Sequence, residues 1–189
     1  MNIRELIKKE EILILPGIYD ALTAKIAEKA GFKGILMGGY SISATRLGQP
    51  DVGFLTMSEM TSQIKIISDA VNVPLIADGD TGYGNPLNVM RTVKEYEKAG
   101  ASGIILEDQQ WPKRCGHMEG KQVIPKEEHI KKIEAALEVR SSREFIIIAR
   151  TDSLAVTGIE EAVERGKAYR DAGADVVFIE APRSLEELS

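Results

Sequence analysis

The chain contains 189 residues, 43% of them hydrophobic and 28% charged, and its formal net charge is −5. This length and composition are typical of one globular domain, here 1–189, and they exclude a disordered or collagen-like chain. Because the sequence has no basic block, we expect no nucleic-acid partner, and because its apolar runs are only as long as a strand, we expect no membrane partner. The charged residues at the start predict a cytoplasmic protein. Cys115 is the only cysteine, which excludes an intrachain disulfide.

Short, mostly aliphatic segments predict six buried parallel strands with helical patterns between them. The predicted strands span 12–16, 35–39, 75–80, 104–108, 146–152 and 176–181. A pattern of helix end, glycine, short turn and strand recurs at Gly31, Gly100 and Gly173. This repeated βα unit predicts an α/β protein with a parallel sheet.

Capping residues predict where several helices begin. They are Asp20, the pair Thr56 and Glu59, Asn85 before Pro86, and the pair Thr157 and Glu160. Two long segments, 40–55 and 109–125, follow predicted strands and are expected to be loops, and His129 is expected at the surface or as a helix cap. Because ligands collect at the carboxyl ends of parallel strands, we expect the functional site there.

Charged residues gather at those strand ends. Asp78 and Asp80 are two apart and share one face of an extended segment, while Glu107, Arg150 and Glu180 end the next three strands. Carboxylates that converge without imidazole favour a hard ion such as Mg²⁺, with Mn²⁺ also possible. The alternative is that each acid caps a helix or pairs with Arg150 or a lysine.

Glycines accompany the acids. Gly38 and Gly39 end the second strand, where backbone N–H groups either bind a carboxylate or oxyanion or simply form a tight turn. The glycine-rich segment 78–84 lacks the lysine of a P-loop and the spacing of a dinucleotide-binding motif. We therefore expect this segment to pass close to a ligand and turn into the following helix.

The segment 109–125 carries the most reactive residue types. Cys115 and His117 are two apart, beside Lys113 and Arg114. Neighbouring positive charge lowers the pKa of a thiol and makes it usable as an acid, base or nucleophile. The alternative is an incidental loop cysteine.

Five segments together resemble the isocitrate lyase/phosphoenolpyruvate mutase superfamily in order and spacing. They are Leu47-Gly-Gln-Pro-Asp51, Asp78-Gly-Asp-Thr-Gly-Tyr-Gly84, Glu107-Asp-Gln109, Lys113-Arg-Cys-Gly-His117 and Ala149-Arg-Thr-Asp152. The resemblance covers nearly the whole chain and is nearest to the methylisocitrate lyase and 2,3-dimethylmalate lyase branch.

This resemblance implies a (β/α)8 barrel with its site at one end. The implied site residues are Asp78 and, directly or through water, Asp51, Asp80 and Glu107 for Mg²⁺; Cys115, Lys113, His117 and Glu180 for catalysis; and Arg150, Gly38, Gly39, Tyr40 and Gly116 for substrate. In this arrangement Cys115 lies on a mobile gating loop with Lys113 and His117. Arg150 contacts a substrate carboxylate, and Glu180 supports the proton path.

The thiol narrows the implied activity. The lyases of the family carry it, whereas the phosphonate-forming mutases usually replace it. Cys115 therefore favours a Mg²⁺-dependent carbon–carbon lyase that cleaves a 2-hydroxy di- or tricarboxylate, of the 2-methylisocitrate or 2-alkylmalate type, into an α-keto acid and a second carboxylic acid. The alternatives are an oxaloacetate decarboxylase or phosphonomutase of the same superfamily, and a non-catalytic α/β module used for assembly. Gly38 stands where many family members have a hydroxyl residue, and Tyr40 stands where others have glycine. The resemblance therefore does not determine which substituent the substrate carries.

The family barrel needs eight βα modules, and the predicted strands supply six. We therefore expect that the last two modules are lacking, and that the 189-residue chain alone associates through exposed strand edges and is weakly active. The resemblance implies a small-molecule carboxylate as substrate and a homo-oligomer, a tetramer in complete members, as the assembly.

Overall fold

Six parallel strands form the centre of the molecule. In the computed structural model, which describes residues 2–188, they are β1 (Gly17–Ile18), β2 (Ile35–Met37), β3 (Leu75–Asp78), β4 (Gly103–Glu107), β5 (Ile146–Thr151) and β6 (Val176–Ile179). Their spatial order follows the chain, and every neighbouring pair is parallel. This confirms the predicted α/β class, with six consecutive modules of a (β/α)8 barrel. Met1 and Ser189, the ends of the predicted 1–189 domain, lie outside the described residues.

Helices connect the strands. They are α1 (Ile3–Lys9), α2 (Ala21–Lys29), α3 (Gly39–Leu47), α4 (Met57–Ser68), α5 (Pro86–Ala99), α6 (Lys126–Val139), α7 (Leu154–Thr157), α8 (Ile159–Asp171) and α9 (Leu185–Leu188). Asp20, Thr56 and Asn85 cap α2, α4 and α5 with their side chains, which confirms three of the predicted helix starts. Among the helices of residues 2–188, none is long and apolar enough to cross a membrane.

Strands β3 to β5 bury both faces, because their residues alternate between apolar clusters on the two sides, whereas β6 is only half-buried. Ile104 and Ile147 belong to the larger cluster under the outer helices, whereas Ile105 belongs to a second cluster on the inner face. Ile3 and Leu6 of α1 pack into that second cluster and close the amino-terminal end of the inner face. Since burying such a side chain stabilises the fold by about 1.5–3 kcal/mol, this alternation fixes the face that each strand residue occupies.

The first strand lies later in the chain than predicted. Segment 12–16 is outside the sheet, and β1 begins at Gly17. Leu15 packs against the inner cluster, while Ile12 and Ile14 are 78% and 64% exposed. The apolar run therefore belongs to an extended segment that packs on one side only, rather than to a strand buried on both faces.

Two predictions from local signals around helices are wrong. Segment 40–55 is not wholly a loop, because it contains most of α3. That helix has no side-chain cap, and Ile42 is its one large buried apolar side chain, so the sequence shows neither a capping residue nor an apolar repeat at helical spacing. Thr157 does not cap α8 but ends α7. The cap position belongs to Gly158, whose φ of +96° suits a residue without Cβ.

His129 lies in the interior, so its predicted place at the surface is wrong. Its side chain is fully buried, and its ring meets that of Tyr169 edge-on at a centroid distance of 4.7 Å. It shares the buried face of α6 with Ile133 and Ala136, which follow at helical spacing.

Candidate active site

The side chains predicted to carry the chemistry lie on the inner face of the sheet, at the carboxyl ends of its strands. Asp78, Glu107 and Arg150 each come two residues after an isoleucine of the inner cluster, so strand alternation sends them to the same face. Glu180 follows β6, and its Oε2 lies 3.2 Å from Nη1 of Arg150. The structure thus places these strand-end residues on one face, as the sequence predicts.

Asp78 is the centre of an acidic cluster. Its Oδ2 accepts a hydrogen bond from the backbone N–H of Gly39 at 2.9 Å, and its Oδ1 accepts one from that of Asp80 at 3.0 Å. The ammonium of Lys113 lies 2.5 Å from Oδ1 of Asp51 and 2.8 Å from Oδ1 of Asp80. The acidic cluster is defined as Asp51, Asp78, Asp80 and Glu107, with Lys113 as its cation. Lys113 therefore reaches from the 109–125 loop into the predicted metal residues.

Burial dominates the electrostatics of this cluster. Burial, helped by the negative charge of Asp78, raises the pKa of Asp80 to about 6. The positive charge of Lys113 lowers this pKa but does not outweigh burial. Burial also raises the pKa of Glu107 well above its usual range. For Lys113 burial alone would lower the pKa, but the carboxylates, Asp80 first, outweigh it and raise the pKa. The cluster therefore favours additional positive charge.

Two carboxylate oxygens in the acidic cluster are poorly satisfied by protein groups. Among residues 2–188, Oε1 of Glu107 has no hydrogen-bond partner, and Oδ1 of Asp80 has the charge of Lys113 nearby but no hydrogen bond of good geometry. Buried anionic oxygens of this kind suit a hard cation. In the described part of the chain, no three acidic, histidine or cysteine side chains are placed to hold a metal by themselves. Mg²⁺ commonly keeps several waters beside one or two carboxylates, and the residues present fit that mode.

Arg150 lies beside the acidic cluster. Its Nε and Nη2 donate to the two oxygens of Asp152 at 3.0 and 3.1 Å, and Nη2 lies 3.5 Å from Oε2 of Glu107. The ring of Phe178 packs on the guanidinium at 5.6 Å. Although burial alone would lower the pKa of Arg150, the carboxylates of Glu107 and Asp152 raise it, so the guanidinium stays charged. Asp152 thus binds the guanidinium in two-point fashion and fixes its direction.

The 109–125 loop, predicted from the sequence, is held at its start by Gln109. The side-chain oxygen of Gln109 accepts from the N–H of Arg114 at 2.9 Å, and its amide donates to the carbonyl of Arg114 at 2.8 Å. The end of the loop returns to the same residue, because Gln109 forms an antiparallel bridge with Val123. The loop is therefore closed on itself by Gln109, with Cys115 in between.

Gly116 brings the loop down onto the strand-end residues. A Cβ at this position would lie 2.5 Å from both Nη2 of Arg150 and Oε1 of Glu180. Cys115, the preceding residue, is half-buried. The backbone of the loop thus passes next to Arg150 and Glu180 immediately after Cys115. The catalytic role of the thiol stays a prediction.

Three of the predicted site residues are less enclosed. The side chain of His117 is 82% exposed, and its Nε2 lies 3.9 Å from Oε1 of Glu180. Tyr40 is 62% exposed in the first turn of α3, and Gly38 is the cap residue of that helix. The roles of these three residues, like those of the other predicted site residues, stay predictions.

Sequence reasoning missed Lys121, and it noted Asp108 and Asp152 only as members of strand ends and motifs, with no role assigned. Lys121 donates to the carbonyl of Gly116 and to Oδ1 of Asp152, the latter at 2.9 Å. Asp108 is fully buried and accepts hydrogen bonds from four groups. Asp108 and Asp152 are visible in the sequence as strand-end acids, whereas nothing local to Lys121 marks it as buried.

With this geometry established, comparison with known proteins identifies related chains. A sequence profile of the phosphoenolpyruvate phosphomutase family matches residues 3–189. The 2,3-dimethylmalate lyase of Eubacterium barkeri is 53% identical over 187 residues, which cover 99% of this chain and 65% of that protein. The chain thus spans somewhat less than two thirds of the length of this relative.

Solved structures agree with the sequence comparison. An oxaloacetate acetylhydrolase in complex with the inhibitor 3,3-difluorooxalacetate has a TM-score of 0.94 and 43% identity, covering 99% of this chain and 65% of that one. A phosphonopyruvate hydrolase complexed with oxalate and Mg²⁺ has a TM-score of 0.89 and 39% identity, covering 98% of this chain and 64% of that one. The same architecture therefore serves several reactions of small carboxylates.

Proposed function

Because the chain belongs to the phosphoenolpyruvate mutase/isocitrate lyase superfamily, we propose that the protein is a Mg²⁺-dependent carbon–carbon lyase. Its substrate is a 2-hydroxy di- or tricarboxylate of the 2-alkylmalate or 2-methylisocitrate type, and its products are an α-keto acid and a second carboxylic acid. The 53% identical 2,3-dimethylmalate lyase supports this substrate class.

One observation carries the proposal. The loop that bears Cys115 packs through Gly116 against Arg150 and Glu180. In this proposal the thiol of Cys115, one residue before that contact, works beside the guanidinium of Arg150 and the carboxylate of Glu180. Cleavage of a carbon–carbon bond between carboxylated fragments needs a proton donor, a carboxylate-binding cation and a polarising charge, and this site offers each of them.

The acidic cluster supplies the metal site in this proposal. Asp78 and, directly or through water, Asp51, Asp80 and Glu107 would hold Mg²⁺. The ion, when bound, would supply Lewis-acid stabilisation of the negative charge on the substrate oxygen. The N–H of Gly39, 2.9 Å from Oδ2 of Asp78, keeps that carboxylate aimed at the site.

The chain's own groups account for binding and proton transfer. Arg150 binds a substrate carboxylate, and closure of the loop excludes water. A base removes the hydroxyl proton, and the electrons of that O–H bond form the new carbonyl. The electrons of the broken carbon–carbon bond pass to the leaving fragment, and the thiol of Cys115 donates the proton that this carbanion takes up. Lys113 and His117 tune the thiol, and Glu180 supports the proton path.

The same resemblance implies an assembly for the protein. We propose a cytoplasmic homo-oligomer, with a tetramer as the expected state of the complete protein. Sedimentation velocity of the complete protein tests the oligomeric state.

A second candidate reaction is supported by the similarity, at a TM-score of 0.94, to an oxaloacetate acetylhydrolase. Decarboxylation of oxaloacetate would use the same metal and Arg150 but would need no dedicated thiol acid, whereas its hydrolysis to oxalate and acetate also leaves a carbanion that must take up a proton. The two candidates are separated by their products.

The test is an assay of the complete protein with Mg²⁺ and three substrates, followed by chromatography of the acids formed. Cleavage of 2,3-dimethylmalate between its second and third carbons gives pyruvate and propionate, and that of 2-methylisocitrate gives pyruvate and succinate. We expect propionate or succinate to form in step with pyruvate. Turnover of oxaloacetate alone would contradict the lyase proposal, and no turnover of any of the three would favour a non-catalytic role.

A further inference from the structure

Lys121 is a buried lysine of the 109–125 loop that the proposed mechanism does not use. Its side chain is 2% exposed. Its ammonium donates to the carbonyl of Gly116 and lies 2.9 Å from Oδ1 of Asp152. An ammonium that leaves water is stable only while such acceptors stay within reach. Lys121 therefore joins the loop to the end of β5 at one defined point.

Asp152 is shared between Lys121 and Arg150. Its Oδ1 accepts from both the ammonium and Nη2 of Arg150, while its Oδ2 accepts from Nε of Arg150 at 3.0 Å. The carboxylate itself cannot turn freely, because it is fully buried and the N–H of Asp152 donates to Oδ1 of Asp108 at 2.9 Å. The position of the ammonium and the direction of the guanidinium are thus linked through one carboxylate.

The other acceptor of Lys121 lies where the loop is closest to the site. Gly116 has so little room that a Cβ would meet Arg150 and Glu180 at 2.5 Å. By binding the carbonyl of Gly116, Lys121 holds this close approach in place. Since Cys115 precedes Gly116, the same contact sets where the thiol lies.

We propose that Lys121 is a positioning residue that latches the loop segment 113–121 closed and couples this closure to the orientation of Arg150 through Asp152. The inference rests on the proposed function only for the role of Arg150 in binding a substrate carboxylate. When the latch opens, Lys121 moves into water with the loop, and Asp152 is left paired with Arg150 alone.

The test measures how fast iodoacetamide alkylates Cys115 in the complete protein, followed by mass spectrometry of the peptide that contains it. Lys121→Met keeps the length of the side chain and removes its charge and hydrogen bonds. Because a hydrogen bond to a charged group is among the stronger ones, we expect alkylation to become roughly ten- to a hundredfold faster. Lys121→Arg, which keeps the charge, should restore most of the protection. Lys131→Met is the matched control, since Lys131 is an exposed lysine on α6, and its rate should equal that of the wild type.

Two further readouts separate a latch from a general structural role. The thermal unfolding midpoint of Lys121→Met should stay near that of the wild type, and in the lyase assay its KM should rise more than its kcat falls, because Arg150 is misdirected. If Lys121→Met does not fold, Lys121→Gln replaces it with the same expectations. Unchanged alkylation, or faster alkylation that comes only with a large loss of thermal stability, would overturn the proposal. Because alkylation requires no turnover, an inactive wild-type protein would refute the proposed function and leave this test intact.

Discussion

Adding one methyl group at Gly116 tests whether the loop reacts in the position that the structure gives it. In Gly116→Ala the new Cβ would lie 2.5 Å from Nη2 of Arg150 and 2.5 Å from Oε1 of Glu180, about 1 Å short of ordinary contact. Either the loop rises or the guanidinium is displaced, and both separate Cys115 from a substrate held by Arg150. Since a misplacement of about 1 Å can cost a hundredfold in rate, we expect kcat/KM to fall by roughly that factor.

The assay is steady-state cleavage of 2,3-dimethylmalate by the complete protein, with thermal unfolding measured in parallel. The unfolding midpoint should change little, because Gly116 lies in the loop and in none of the apolar clusters. Gly17→Ala is the matched control, since no heavy atom lies within 4 Å of a Cβ built there, and its kinetics should equal those of the wild type. If Gly116→Ala cleaves the substrate as fast as the wild type, the loop does not pack on Arg150 and Glu180 in the reacting complex, and our reasoning is refuted.

Four further changes test other parts of the structure. Cys115→Ser should lower cleavage by at least about a hundredfold while oxalate, measured by calorimetry, still binds; normal cleavage would make the thiol a bystander. Chelation should abolish activity and added Mg²⁺ restore it, and Asp78→Ala should abolish both activity and Mg²⁺ binding; full activity in chelator would contradict the metal site. Asp108→Asn should destabilise the protein to urea by about 1–3 kcal/mol, because buried Arg165 then keeps only Glu161 as a carboxylate partner, whereas the exposed Asp171→Asn should not. The free energy of unfolding should fall more steeply below pH 6.5 in the wild type than in His129→Phe.

The sequence predicts the parts of the fold and site that depend on local pattern. Aliphatic strands alternate between two buried faces, so a charged residue two places after an inner isoleucine, such as Glu107 after Ile105, can be assigned to the inner face from spacing alone. Side-chain caps at Asp20 and Asn85 are equally local, because donor and acceptor are within three residues of each other. Where these local signals are absent, as in α3, the sequence gives no sign of the helix.

The contacts that assemble the site depend on tertiary register and are not visible in local pattern. Lys113 joins Asp51 and Asp80 from a loop that is distant in sequence, and Lys121 reaches Asp152 across a separation of 31 residues. A lysine in a polar loop usually faces solvent, so its burial follows only from the carboxylates that the barrel places beneath it. The sequence therefore identifies the charged strand ends, and the structure identifies which cation meets each of them.

His129 shows how such tertiary placement changes the chemistry of a residue. Neither ring nitrogen has a hydrogen-bond partner among residues 2–188, and burial lowers its pKa from 6.5 to about 4, with Lys132 and Arg165 adding to the effect and Asp108 opposing it. Below pH 6.5 His129 is therefore mostly protonated in the unfolded chain, whereas in the folded chain it becomes protonated only near pH 4. The stability that neutral His129 contributes is complete above pH 6.5 and is lost as the pH falls towards 4. Each unit of pKa shift corresponds to about 1.4 kcal/mol, so the wild type should lose about 2 kcal/mol more than His129→Phe between pH 7 and pH 5. Urea unfolding of both proteins at the two pH values measures this difference, and an equal loss in both would mean that His129 is protonated or hydrated in the folded protein.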